Sequence, residues 1–158
     1  MPNPPRSPQP WEMPLADYIG SARIMGPEGR YAPDALEEVG ASILVNMSGK
    51  ARGWDPETNP DWPGITFRVK RGQIMAFDGD DRPIAWFGEP MPYVVPDWRG
   101  RKLSAELYRI SEASGKRMPV YAYSPSGLLA RIAAHALHVG RAQRDGRALP
   151  GEVMADYL

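Results

Sequence analysis

Hydrophobic residues recur along this chain with two different periods, and the places where the period changes divide it into elements. In "APDALEEVGASILVNM", Leu36, Val39, Ile43 and Met47 fall on one face at helical spacing, with Pro33 in the first turn. "LADYIGSARIM" before it has the same rhythm, so two helices are predicted at the start of the folded part. From Gly49 to Gly64 the chain is dense in Pro, Gly, Asn and Asp, which predicts a loop. Three short apolar runs follow, "ITFRVK", "QIMAFD" and "PIAWFG", joined by "RG" and "GDDR". They predict an antiparallel meander. "PYVVP" is a fourth strand. "RKLSAELYRISEAS" is a helix that buries Leu103, Leu107 and Ile110. "MPVYAY" is a fifth strand, and two helices close the order, "SGLLARIAAHALHVGRAQR" and "PGEVMADYL". No internal repeat is visible.

The first fourteen residues lie outside these periods. Six of them are proline, which fixes φ and has no amide proton, so an extended arm is predicted over residues 1–14. Such an arm is ordered by docking, and another protein chain is the expected partner. Residues 15–158 then form one domain, with a sheet core at 65–123 and C-terminal helices at 126–158. The expected class is α/β, with a central mixed sheet flanked by helices.

Composition narrows the chemistry. A length of 158 residues with 42% hydrophobic and 24% charged side chains suits a single globular core. The absence of cysteine excludes disulfides and thiolate metal sites. No apolar run has the length of a membrane span, and "MPNPPRSPQPWEMP" lacks the basic start and apolar core of a secretion signal. The expected location is a cytoplasm, with a virion as the alternative. Formal net charge is zero, yet residues 1–64 carry five basic and nine acidic side chains, and residues 65–158 carry fourteen and ten. The basic excess concentrates at Arg99, Arg101, Lys102, Arg109, Lys116 and Arg117, opposed only by Glu106 and Glu112. That cluster suits the phosphate of a cofactor. Nucleic acid ranks behind it.

The element order, with "VVPDWRGRKLSAEL" between a strand and a helix, resembles the GNAT superfamily of acetyl-CoA-dependent N-acyltransferases. The resemblance covers residues 65–125 and extends weakly into the first helices. It implies that the turn after the fourth strand opens a helix whose amides cradle the pyrophosphate of acetyl-CoA, since a helix start offers unpaired amides and partial positive charge. On this reading Val94, Val95, Arg99, Gly100, Arg101, Lys102 and Ser104 form the cofactor turn. Val94, Pro96, Arg99 and Gly100 match the family pattern, while its two small positions fall at Lys102 and Ser104. A lysine where backbone meets phosphate predicts a damaged cradle and weak binding.

Acyl transfer to an amine also needs a base and an acid. Glu89 is the candidate base and Tyr123 the candidate acid. The strands that close the family's sheet after the fifth are missing from the pattern, which leaves an edge for a partner chain or the C-terminal helix to cover. His135 and His138 lack a third metal ligand, and Ser124 and Ser126 in "YSPSG" read as a helix cap. Of the five tryptophans, Trp86 reads as core and those in loops as candidate contacts with other proteins. Two functions follow. The favoured one is a GNAT-like, non-catalytic binding or structural subunit of a larger assembly such as a phage virion, with no cofactor. The alternative is an active acyltransferase that uses acetyl-CoA.

Overall fold

The computed structural model describes residues 8–26, 28–88, 91–113 and 122–157. Five strands form one antiparallel sheet in the order β2 (Asp55–Glu57), β3 (Thr66–Lys70), β4 (Gln73–Phe77), β5 (Pro83–Gly88) and β6 (Met91–Val94). The predicted meander is present, and its turns have the expected chemistry. In the "RG" hairpin Arg71 and Gly72 both take positive φ (51° and 84°), as a two-residue turn between twisted strands requires. In the next turn the Asp78 carboxylate accepts the amides of Asp80 and Arg82 at 2.9 Å each.

Helices cover both faces of the sheet. On one side α2 (Pro33–Ala51) packs Leu44 and Ala51 against Met75, Phe77, Trp86 and Tyr93. On the other, α3 (Leu103–Ala113) packs Leu103, Leu107 and Ile110 against Phe67, Ile74, Phe87 and Val94. Burial of both faces explains why "QIMAF" and "PIAWF" are continuously apolar instead of alternating. α4 (Pro125–Arg144) lies against α3, and the short α5 (Gly151–Ala155) ends the described chain.

Several sequence expectations are corrected. The five-stranded sheet is antiparallel throughout, not mixed. The fifth expected strand is reduced, among the described residues, to β7 (Ala122–Tyr123), which leaves the sheet and pairs in parallel with β1 (Arg23–Ile24). Thus the chain's own N-terminal segment, and not the C-terminal helix, lies along β7. The predicted helix over 15–25 is only α1 (Leu15–Ile19), stopped by Gly20 at φ 74°, which frees Arg23 and Ile24 to extend. The loop at 49–64 contains β2, whose exposed "DPE" carries no strand-forming residue for sequence reasoning to detect. On α2 the buried residues are Gly40, Leu44 and Ala51, while Val39 is half exposed. Gly40 decides this rotation. A Cβ there would lie 2.0 Å from the Tyr93 ring, so only glycine lets the helix approach β6.

The expected arm is also different where it is described. Residues 10–12 form a 3₁₀ turn with Pro10 buried, and the segment docks on its own domain instead of extending. Three contacts fasten it: His135 Nε2 donates to the Met13 carbonyl (2.7 Å), the Leu15 amide donates to Asp156 (2.8 Å), and Arg147 stacks on Trp11. Residues 1–7 lie outside the described part.

Between α1, α3 and α4 the core is polar. Tyr18 Oη donates to Glu112, whose other oxygen lies 3.1 Å from Arg131 Nη2, and His138 Nε2 approaches Glu112 at 3.6 Å. Burial, reinforced by the Glu112 carboxylate, keeps the Tyr18 phenol protonated and able to donate. Toward the loop at 59–61, Glu106 accepts from Arg109 Nε (2.7 Å) and Asn59 (2.9 Å), and Arg141 reaches Asp61 at 3.0 Å.

Both histidines are held neutral. Burial pushes His135 and His138 below the ordinary imidazole value, and in His135 the second nitrogen is bonded to the Tyr157 hydroxyl. Above about pH 6.5 folded and unfolded chains are both neutral at these sites, so they add no pH dependence. Below that value the unfolded chain takes up protons that the folded chain resists. Stability should therefore fall with pH until the depressed folded values are reached, and His135→Gln should flatten the slope. Urea midpoints at pH 7.5, 6 and 5 check this; parallel curves for the two proteins would refute it.

Candidate functional site

Among the described residues β7 pairs with β1 and not with β6, and a groove of about 810 Å³ lies between β6 and β7. Its walls are β6 from Met91 to Val94 on one side, and Ala122, Tyr123 and the first turn of α4 on the other. Tyr108 of α3 lines it as well, and Leu36, Glu37 and Val39 of α2 stand along one border. A concave site of this size, largely apolar with a few polar groups, is the usual form of a small-molecule site.

The basic turn reaches the groove through Arg99 and Ser104. Pro96–Trp98 make a 3₁₀ turn, after which Gly100 (φ 79°) and Lys102 (φ 64°) both enter the left-handed region before α3 begins. Lysine rarely adopts this backbone and glycine adopts it freely. The chain thus keeps, at position 102, the conformation for which the pattern's small residue is suited. The Lys102 residue is exposed. The amides of Leu103, Ser104 and Ala105 follow as the first turn of α3, which has no intrahelical partners for them.

The remaining candidates are distributed unevenly. Val94 lines the groove and is buried, whereas the Val95 amide is bonded to Ile84 and its side chain packs on the core. Arg101 is exposed and stacks on Trp98 at 4.6 Å. Arg99 is engaged: its Nε donates to the Val94 carbonyl (2.8 Å) and its Nη2 pairs with Glu37. Tyr123 lines the groove, buried, with its hydroxyl 3.4 Å from the Ile19 carbonyl. Burial raises its pKa, so it stays protonated. Glu89, Lys116 and Arg117 lie outside the described residues. Ser124 caps α4 as expected, accepting from the Gly127 amide at 3.1 Å. His135 and His138 belong to the polar core between α1, α3 and α4 and do not line the groove. Of the loop tryptophans Trp54 is buried against α2 and the sheet, while Trp11, Trp62 and Trp98 are partly exposed, the last two packed on the edge of the core.

Sequence reasoning missed the contribution of α2. Glu37 accepts from Tyr93 Oη (2.7 Å) and from Arg99, and those two bonds hold its carboxyl below the usual range. Arg30 and Tyr31 also line the groove. Nothing local marks these residues, because Glu37 and Tyr93 are 56 positions apart.

Comparison with protein-family models, curated proteins and solved structures finds no match to this chain. Among the described residues no helix is long and apolar enough to cross a membrane.

Proposed function

We propose that the chain is a GNAT-like binding subunit whose groove between β6 and β7 takes an elongated, phosphate-bearing ligand of the acyl-CoA kind. The observation that carries this reading is the groove itself, lined by β6 and β7 and reached by Arg99 and Ser104 of a basic turn with glycine-type backbone at positions 100 and 102. Arg99 and Ser104, the residues of the turn that line the groove, would meet the pyrophosphate together with the first amides of α3, and the apolar wall of Met91, Pro92 and Val94 would receive the uncharged arm. The proposed role is binding without catalysis. Glu37, the described carboxylate of the groove, is ionised and already shared between Arg99 and Tyr93, which makes it a poor proton acceptor. Placement in a larger assembly such as a phage virion rests on the sequence resemblance.

One observation favours acyl transfer as the second reading: Tyr123, the expected acid, lines the groove with its phenol protonated. Calorimetric titration with CoA and acetyl-CoA separates the outcomes. Binding tighter than about 0.1 mM without release of free CoA in the presence of amines is the expected result. Release of CoA would install the transferase reading. No binding at all would remove both. Replacing Lys102 with glycine should tighten binding, since the backbone there already has the conformation that glycine adopts freely and the lysine side chain adds bulk beside the turn; unchanged binding would show that its side chain does not obstruct.

A further inference from the structure

We propose that Glu37 is a built-in competitor for the ligand's anionic group, an exchangeable latch that holds Arg99 until a phosphate takes its place. This rests on the groove reading above and adds a specificity-determining residue to it.

The geometry is that of a bridge across the groove border. Glu37 stands in the second turn of α2, Tyr93 on β6, and Arg99 in the turn between β6 and α3; all three line the groove. One Glu37 oxygen accepts from Tyr93 Oη and the other from Arg99 Nη2. Arg99 is further aligned by its Nε bond to the Val94 carbonyl and by the Tyr93 ring, 5.6 Å from its guanidinium carbon. The bond to Val94 and the contact with the ring do not involve the anion and can stay with Arg99 whichever anion it binds; the bond to Glu37 is the replaceable one.

Two facts make exchange easy. The Arg99 and Glu37 side chains are 48% and 40% exposed, and ion pairs in such settings are weak. Also, α2 does not depend on the pair for its docking, because Gly40 against Tyr93, with Leu44 and Ala51, seats the helix. The charged residues among the groove's described lining are Arg30, Glu37 and Arg99. Arg30 stacks on Tyr31 and has no carboxylate partner among the described residues. With the latch closed, one cation of the three residues is uncompensated. With Glu37 neutralised, two are.

The test is a double-mutant cycle read by calorimetry with CoA as the probe. Glu37→Gln keeps an acceptor for Tyr93 and removes the charge, so CoA should bind about three- to tenfold tighter than to the natural chain. In an Arg99→Gln background the same change should gain less than about twofold, since no cation is released. A gain that persists there would mean general repulsion instead of a latch, and would overturn the proposal. Unchanged or weaker binding by Glu37→Gln, with CoA still bound by the natural chain, would overturn the latch and leave the groove reading standing. If neither protein binds CoA, the groove reading fails and the latch with it, because a freed Arg99 has then found no anion.

Discussion

Glu112→Leu is expected to lower folding stability by about 3 to 5 kcal/mol, the largest effect of any single change considered. Glu112 is 4% exposed, accepts from Tyr18, and is the carboxylate that faces both Arg131 and His138. Removing it leaves a guanidinium buried between the Tyr18 and Tyr108 rings, at 4.5 and 5.3 Å, without a counter-ion. That charge cannot be shed, since arginine does not lose its proton in proteins. Arg131→Met should cost less, because the Glu112 carboxylate left behind keeps Tyr18 as a donor and His138 beside it. Removing both together should cost less than the sum of the two, an apolar pair being tolerated where a lone charge is not. Urea titrations of the three variants give the comparison. Equal losses from Glu112→Leu and Arg131→Met, or strict additivity, would show that Arg131 finds solvent or another partner.

Leu107→Ala is expected to cost about 2 to 4 kcal/mol. Leu107 is fully buried at the centre of α3, in the cluster that joins Ile74, Phe87 and Val94 of the sheet to Ala134 of α4. Sheet on one side and helix on the other leave little freedom for collapse into the space of a missing isobutyl group, which places the cost at the upper part of that range. Because α3 also begins at the basic turn, weaker CoA binding should accompany the loss if the proposed site is right. A change below about 1 kcal/mol would mean that the neighbours relax into the cavity.

Much of the sheet side was readable from residues alone. The three runs at 65–70, 73–78 and 83–88 became β3, β4 and β5, and the buried stripe Leu103, Leu107 and Ile110 was identified correctly. These features depend on neighbours a few positions away, where turn type and hydrophobic period act. The α2 face was legible in part: Ile43 and Met47 pack on the core, but Val39 is half exposed and the fully buried positions are Gly40, Leu44 and Ala51. Leu36, Val39, Ile43 and Met47 have the better apolar period, but helix rotation was decided by how closely Gly40 could approach a ring on β6. Local pattern contains no term for that contact. Val94, Arg99, Ser104 and Tyr123 of the groove came from the sequence, while Glu37 and Tyr93 came from packing.

By itself, then, the sequence determined an α/β chain with an antiparallel meander, a basic turn opening a helix, and helices after Tyr123, because propensity, turn chemistry and amphipathic period are local quantities. Tertiary structure alone decided that β7 would leave the sheet for β1, that residues 8–14 would fold back on α4, and that Glu37 would meet Arg99. Each of these depends on which distant surfaces exclude water together. An unpaired carboxylate, a strand edge or a proline-rich segment does not specify its partner until the rest of the chain has packed around it.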